Sequence, residues 1–341
     1  MVTRSPSAGG GSPDWAALNL IGRSAPFRAA LALLQQCAQV DATVLLCGET
    51  GTGKELAARA IHYLSARRSG PFVPVNCGAL PDSILEAELF GHTRGAFTDA
   101  RTDSPGLVGL AQGGTLFFDE VDSLSPRAQA AILRFVQDLS YRRLGAARIE
   151  HADVRLVAAT NADLDALVRS GRFRQDLLFR LNLLAVALPP LRERAGDALL
   201  LAHEFVLRLV AQYRSAPRAL TPASVQALQQ ARPWAGNVRE LEHLVHRAFL
   251  LQVGDAVELG LVPVPSAAAA TPAGHRFADL GFADAKALAI REFERSYLHD
   301  VLQRAGGNLS LAARIAGKER SRFGKLVRKH GLHRAGPLPG T

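Results

Sequence analysis

Seven consecutive residues, Gly48-Glu49-Thr50-Gly51-Thr52-Gly53-Lys54, have the types needed to wrap a phosphate chain. Glycines let the backbone approach an anion closely, so that successive N–H groups point inward. Lys54 would reach the β- and γ-phosphates of a bound triphosphate. Glu55 stands where a Ser or Thr commonly ligates Mg²⁺. Alone, the pattern also fits a glycine-rich turn between a buried strand and a helix. Three further groups bear on the choice. Asp119-Glu120 follows the apolar run 115–118, the form of a Walker B pair: Asp119 would hold Mg²⁺ and Glu120 would polarise the attacking water. Thr160-Asn161 ends a second apolar run and could sense the γ-phosphate or orient water. Arg174 and Arg180 fit either a solvated helix face or arginine fingers reaching a neighbouring subunit's nucleotide, and Arg239 could reach the nucleotide from a lid.

The elements that must position these groups can be read from the hydrophobic pattern. Short apolar runs at 43–47, 72–77, 115–118 and 154–159 predict buried strands. Helical spacing over 25–40, 55–64, 81–90 and 126–138 predicts helices between them, the last with Pro126 in its first turn. Residues 91–106 are poor in core formers and predict a surface loop. Alternating strands and helices imply a doubly wound parallel sheet, which binds ligands at the carboxyl ends of its strands. The phosphate loop, Asn76, Asp119-Glu120 and Thr160-Asn161 all fall at such ends. After Pro189-Pro190 the pattern becomes helical, over 197–214, 222–231 and 237–251, as expected of a helical lid. The Pro/Ala-rich stretch 260–274 reads as linker, followed by helices over 286–304, 308–316 and 320–329.

Bulk composition is that of a soluble chain of 341 residues, with 48% hydrophobic and 21% charged residues. It has no apolar run of the roughly 20 residues a membrane span requires. The first fifteen residues lack the apolar core of a secretory signal. Cys37, Cys47 and Cys77 form no CxxC pair, which predicts buried free thiols in a cytoplasmic protein and no metal site among them. The net charge of +9 is concentrated. Residues 286–341 hold 12 Lys/Arg against 4 Asp/Glu, whereas the preceding 285 residues hold 28 against 27. That asymmetry predicts a nucleic-acid-binding module on a near-neutral body.

The chain resembles the central domain of the sigma-54-dependent transcriptional activators, the bacterial enhancer-binding proteins of the AAA+ class. The matching phrases, in order, are GETGTGKE (48–55), PFVPVNCGAL (71–80), ELFGH (88–92), GAFTDA (95–100), GGTLFFDE (113–120), VRLVAATN (154–161), FRQDLLFRLN (173–182), PPLRER (189–194) and GNVRELEH (236–243). GKE is the usual spelling in this family, which accounts for Glu55. The resemblance implies an ATPase using ATP and Mg²⁺, active as a hexameric ring with nucleotide at subunit interfaces. Carried over by position, Lys54 matches the Walker A lysine, and Asp119 and Glu120 match Walker B. Asn76 matches the asparagine that pairs with the catalytic glutamate. Thr160 and Asn161 match sensor I, Arg174 and Arg180 the arginine fingers, and Arg239 sensor II. Gly95, Ala96, Phe97, Thr98, Asp99 and Ala100 match the loop that contacts sigma-54. Asp99 replaces a glycine there, and Ala235 stands where the family usually has Pro.

Residues 297–332 resemble a Fis-type helix-turn-helix. In that reading Asn308 caps the first helix, and Leu311, Ala312 and Ile315 pack against Leu326 and Val327. Ser321, Arg322, Lys325, Arg328 and Lys329 then face DNA, with Arg322 and Lys325 toward base edges and Arg328 and Lys329 toward phosphate. The expected architecture is an α/β AAA+ P-loop domain, doubly wound around a parallel sheet, with a helical lid and a C-terminal all-α helix-turn-helix. Its expected divisions are a disordered tail (1–18), the α/β ATPase subdomain (19–186), the lid (187–255), a linker (256–284) and the DNA-binding domain (285–341). The implied function is enhancer binding and ATP-driven opening of the sigma-54 RNA polymerase promoter complex. About 20 residues precede the ATPase, too few to form a receiver domain, which implies control by a regulatory protein in trans or by expression level. Two alternatives stand beside this reading. One is an AAA+ DNA-binding regulator acting without sigma-54, favoured by Asp99. The other is a DNA-binding regulator in which ATP only controls oligomerisation.

Overall fold

The computed structural model describes residues 13–79, 82–97, 100–252, 254–261, 294, 297–298, 301–302, 305 and 308–329. The chain divides into two compact units, Met1–Val264 and Pro265–Thr341. In the first, five parallel strands form one sheet. From one edge to the other they are β2 (Phe72–Asn76), β3 (Thr115–Asp119), β6 (Arg155–Thr160), β1 (Val44–Cys47) and β7 (Leu184–Ala187). β1, β3 and β6 are near-continuous apolar runs because helices cover both faces, as a doubly wound sheet requires. Phe117, Val157 and Leu46 point to one face, where they meet α1 (Ala25–Ala38) and α2 (Lys54–Tyr63). Leu116, Phe118 and Ala158 point to the other, where α3 (Asp82–Phe90), α5 (Pro126–Asp138) and α7 (Gln175–Leu181) pack.

Register aligns the chemistry. Cys47, the last residue of β1, pairs with Thr160, and Asn76 pairs with Asp119. Four strand ends therefore finish at one level on the sheet's carboxyl edge. The parallel sheet and its helix layers follow the sequence pattern, but several short elements do not. The loop expected over 91–106 ends in a helix, α4 (Gly106–Leu110), and is anchored by bridges from His92 to Ser104 and to Leu144. A small hairpin pairs β4 (Ser140–Tyr141) with β5 (Glu150–His151), and α6 (Leu164–Arg169) precedes α7. Residues 13–18, expected in a disordered tail, form a turn in which Trp15 and Leu18 pack against the α1 layer. Residues 1–12 lie outside the described residues.

The helical part that follows is built on α8 (Asp197–Tyr213), α9 (Pro222–Gln229) and α10 (Asn237–Leu251), around Phe205, Leu241, Val245 and Trp234. Its edge is a two-stranded parallel pair, β8 (Ala219–Leu220) with β9 (Ala256–Val257). Residues 256–261, expected at the start of the linker, thus belong to the lid, because Val257 and Leu259 are buried in its core. Among the described residues no helix is long and apolar enough to cross a membrane, and all three cysteines are free thiols.

In the second unit, α11 (Leu309–Ile315) and α12 (Arg320–Lys329) are joined by a turn in which Gly317 has φ +59°. Asn308 caps α11, its Oδ1 accepting from the N–H groups of Ser310 and Leu311. The core here consists of Ala312, Ala313, Phe323 and Val327 with Leu298 and Val301. This corrects the expected packing: Leu311 and Ile315 are 41% and 46% exposed. The helical repeat puts residues 309, 312, 313 and 316 on one face, so 311 and 315 fall to its side. The expected helix 286–304 and linker 260–274 lie largely outside the described residues.

Candidate functional site

The site is built on the end of β1. After Cys47 the chain turns through a loop in which Gly51 and Gly53 have φ of +79° and +98°, conformations that disfavour any residue with a Cβ. α2 starts at Lys54, directly behind Gly53, so the helix N-terminus and its free N–H groups face the loop's hollow. Lys54 Nζ donates to the carbonyls of Gly48 (2.7 Å) and Glu49 (3.1 Å). Burial pushes its pKa down, against the upward pull of Asp119, Asp122 and Glu120. A Cβ at Gly53 would meet nothing within 4 Å, whereas one at Gly51 would collide with the carbonyl of Gly236 in the lid.

Asp119 ends β3, and its Oδ1 accepts from Glu120 N–H (3.0 Å). Burial raises its carboxyl above the usual range, partly offset by that hydrogen bond and by Lys54. Glu120 has φ +57°, an αL turn that directs it away from the strand line. Asn76 and Glu120 converge on Gly78: a Cβ there would lie 3.1 Å from Glu120 Oε2 and 3.4 Å from Asn76 Oδ1. Asn76 Oδ1 accepts from the N–H groups of Gly78 (2.9 Å) and Ala79 (3.1 Å). Among the described residues it makes no hydrogen bond to Glu120.

Thr160 and Asn161 connect the adjacent strand end to the site. Thr160 Oγ1 donates to Asp122 Oδ1 at 2.7 Å, Asn161 N–H donates to the same oxygen at 3.3 Å, and Asn161 Nδ2 donates to Thr50 Oγ1 at 3.2 Å. Asp122 was not singled out by sequence reasoning. Its only signal is a third acidic residue three positions after Asp119, which by itself reads as a solvated turn.

The lid reaches the loop through α10. Val238 N–H donates to Gly51 O (3.0 Å), and Arg239, exposed one residue further on, has its Cβ 3.1 Å from where a Gly51 Cβ would stand. A cleft of about 710 Å³ opens between Thr50 and the lid residues Trp234, Gly236, Arg239, His243 and Arg247. Two further residues escaped the sequence reading. Arg192 makes a bidentate ion pair with Glu49, at 2.7 and 2.6 Å. Asn237 donates to Glu49 Oε2 (3.1 Å) and Thr50 O (3.0 Å). The Arg192 hydrogen bonds, then that of Asn237, hold the Glu49 carboxyl down at about 2. Both partners sit inside phrases that carry the family resemblance, and nothing in composition or spacing distinguishes them.

Arg174 and Arg180 occupy the two ends of α7 and are exposed. Buried Gln129 fixes the start of that helix: its Nε2 donates to Arg172 O and its Oε1 accepts from Arg174 N–H. The Arg174 guanidinium is engaged with Asp176, at 2.8 and 3.1 Å. In the loop at 95–100, Gly95 (φ +80°) donates its N–H to Ala100 O, Ala100 is buried, and Phe97 lies edge-on to His92 with ring centroids 4.9 Å apart. Thr98 and Asp99 lie outside the described residues. In the second unit, Ser321, Arg322, Lys325, Arg328 and Lys329 lie on α12 away from buried Phe323 and Val327, and all five are exposed.

A phosphate-type loop between a central parallel strand and a helix, an acidic pair on the neighbouring strand and a helical lid closing over the loop define a P-loop protein of the AAA+ fold. Known proteins carry this further. The model of the sigma-54 interaction domain matches residues 20–187, and that of the AAA+ ATPase lid domain matches residues 192–276. The transcriptional regulatory protein ZraR of Escherichia coli K12 is 42% identical over 298 residues, covering 87% of this chain and 66% of that protein. The Nif-specific regulatory protein of Herbaspirillum seropedicae is 45% identical over 239 residues, 70% of this chain and 44% of that one. The alginate biosynthesis regulator AlgB of Pseudomonas aeruginosa is 40% identical over 316 residues, 92% of this chain and 68% of that one. The crystal structure of NtrX from Brucella abortus in complex with ADP superposes with a TM-score of 0.67 at 30% identity, covering 92% of this chain and 69% of that one. The chain belongs to the family of sigma-54-dependent activators, AAA+ ATPases by class. It spans less than two thirds of the length of the first two relatives named.

Proposed function

We propose that the chain is an ATP-hydrolysing transcriptional activator that binds enhancer DNA and opens the sigma-54 RNA polymerase promoter complex. One observation carries the enzymatic part: Asp119, Glu120 and Arg239 lie within electrostatic reach of Lys54 and Asn161 bonds Thr50, although these residues come from three strand ends and the lid. In this reading the N–H groups of residues 48–55 cradle the phosphates and Lys54 neutralises the β- and γ-phosphates. Glu120 draws a proton from the attacking water. Thr160 and Asn161, tied to Asp122 and Thr50, hold that water and the γ-phosphate in line, and Asn76 relays the state of Glu120. Arg239 answers the nucleotide from the lid. Mg²⁺ suits the donor at hand: a hard carboxylate, Asp119, ends β3 within electrostatic reach of Lys54, and Mg²⁺ needs only one or two carboxylates when phosphates supply the rest. Asp119 would provide that carboxylate, and the cation would neutralise charge on the phosphates.

Arg174 and Arg180 would act on a neighbouring subunit's nucleotide in a hexameric ring, so turnover per chain would rise with concentration. The loop 95–100, with Phe97 exposed at 44%, would contact sigma-54. The basic face of α12 would bind enhancer DNA as the second helix of a helix-turn-helix, with α11 as the first. The divisions proposed are those read from the sequence for residues 19–341, with residues 13–18 joined to the ATPase subdomain and residues 256–261 moved to the lid. The site of action would be the cytoplasm.

The experiment is ATP turnover and sigma-54 capture by the purified chain with ADP and aluminium fluoride, a mimic of the hydrolysis transition state. Glu120→Gln should lower turnover by about 100-fold or more, the scale of a lost general base, while retaining ATP. Phe97→Ala should abolish capture while turnover persists. Normal transcriptional activation by Glu120→Gln would refute the hydrolytic reading in favour of ATP as a control of assembly alone. Asp99 favours a second reading, a regulator working without sigma-54: hydrolysis without capture, restored by Asp99→Gly, would favour an impaired loop.

A further inference from the structure

Asn237 is fully buried, has φ +53° and stands at the first position of α10. Its side chain is met by two different segments. Its Oδ1 accepts from Leu191 N–H at 2.8 Å, at the entry to the lid, and its Nδ2 donates to Glu49 Oε2 at 3.1 Å and to Thr50 O at 3.0 Å. The other oxygen of Glu49 is held by Arg192 at 2.6 Å, and Arg192 also reaches Oε2 at 2.7 Å. The two sides are 188 residues apart in sequence. An αL conformation at a non-glycine residue is uncommon and is tolerated best by Asn and Asp. Here it lets the amide point back into the phosphate loop while α10 runs away from it.

We propose that Asn237 is a positioning residue for nucleotide binding. With Glu49 and Arg192 it clasps the phosphate loop to the base of the helix that carries Arg239. The clasp holds Thr50 and Gly51 from outside the loop and leaves the inward N–H groups free for phosphate. It also ties the place of Arg239 to the shape of the loop, since Val238 N–H bonds Gly51 O immediately beside it. Loop geometry and lid orientation then form one unit, and nucleotide affinity depends on both. The inference rests on the proposed reading of the hollow as an ATP site and adds to it the groups that shape the site without touching phosphate.

Chemistry makes the clasp separable from general folding. Asn237→Asp keeps size and φ preference but puts a carboxylate against Glu49 and against a carbonyl, replacing two attractions by two repulsions. Glu49→Gln weakens the Arg192 pair, yet in the Asn237→Asp background its new amide donor faces the new acceptor. Binding of a fluorescent ATP analogue to the purified chain, with melting temperature recorded alongside, reads both effects. In the parent protein Glu49→Gln should weaken binding about threefold, and Asn237→Asp about tenfold, the scale of one ordinary net hydrogen bond. In the Asn237→Asp background the same Glu49→Gln change should strengthen binding. That reversal of sign supports a direct clasp, because loss of structural integrity alone gives additive damage. Additive losses, or an Asn237→Asp protein binding as the parent does, overturn the clasp. If Asn237→Asp does not fold, Arg192→Gln decides, since that side chain is 42% exposed: weaker binding supports the clasp and unchanged binding overturns it. A parent protein that binds no analogue overturns the reading of the hollow itself, a result distinct from any of these.

Discussion

Replacing Asp197 by alanine should be among the most damaging single changes outside the nucleotide hollow. Asp197 opens α8 and is 1% exposed. Its carboxylate receives four hydrogen bonds: Arg23 N–H (2.7 Å) and Ser24 N–H (3.1 Å) on Oδ1, Ser24 Oγ (2.8 Å) and Arg194 Nε (3.0 Å) on Oδ2. Arg194 in turn donates to Ile21 O at 2.6 Å and stacks 3.6 Å over the Phe27 ring. This knot fastens the segment entering α1 to the start of the lid. Burial already pushes the Arg194 pKa down, and Asp197 is what opposes that shift. Removing it leaves a buried guanidinium uncompensated, at a cost of about 3–5 kcal/mol. For a domain of this size that is a fall in melting temperature of roughly 6–20 °C. Urea unfolding followed by the fluorescence of Trp15 and Trp234 measures the loss directly. Adding Arg194→Met removes the stranded charge and should recover part of it. Recovery stays incomplete, because two backbone N–H groups and the Ser24 hydroxyl still lack their acceptor. A loss below about 1 kcal/mol at constant m-value, or no recovery in the double variant, would refute the argument from an unpaired buried charge.

Three other outcomes follow from the same geometry. Burial, then the nearby Asp119, Asp122 and Glu120 carboxylates, pushes the Cys77 thiol up to about 12, so iodoacetamide at pH 8 should label Cys77 only after unfolding, as read by peptide mass. The Glu49 carboxyl, held down at about 2 in the folded chain against 4.5 for the ordinary group, contributes stability present above the higher value and lost as pH falls toward the lower. The urea midpoint of Glu49→Gln should therefore fall less than that of the parent between pH 5 and pH 3. Phe117, fully buried at the centre of β3, should cost about 3–5 kcal/mol when changed to alanine, by lost burial and a residual cavity, again read by urea unfolding.

The parallel sheet was legible because its strands are buried on both faces. Leu45-Leu46, Leu116-Phe117-Phe118 and Val157-Ala158-Ala159 have no polar alternation to confuse them with surface. β7 was missed for the opposite reason. Leu184–Ala187 follows closely after a helix, is four residues long and is buried fully only at Val186, so its signal merges with that of α7. Trp15 and Leu18 were read as tail because two apolar side chains among Ser, Gly and Pro give no period, and their burial depends on a helix layer that is not local. The exposure of Leu311 and Ile315 is an error of phase. The smaller Ala312 and Ala313 take the core because Phe323 from α12 fills the space between the helices.

The residues of the hollow were legible to a different degree from the residues that hold it. Lys54, Asp119 and Glu120 declare themselves by type and by position at strand ends, since phosphate and metal chemistry restricts what can serve there. Asp122, Arg192 and Asn237 act on other protein groups, and a carboxylate, a guanidinium or an amide in a turn has many commonplace uses. Only the fold shows that Asp122 receives both Thr160 and Asn161. Only the fold shows that Asn237 faces Thr50 across the boundary between sheet and lid. Most of those interactions join segments distant in sequence, so replacing one of them should alter how the parts of the site are held together before it alters the chemistry of any one part. Asp122→Asn tests that order of effects: the neutral amide can still accept from Thr160, so the protein should fold. The weakened hold on Asn161 should lower turnover by about tenfold with little change in ATP affinity, the pattern of lost orientation rather than lost binding.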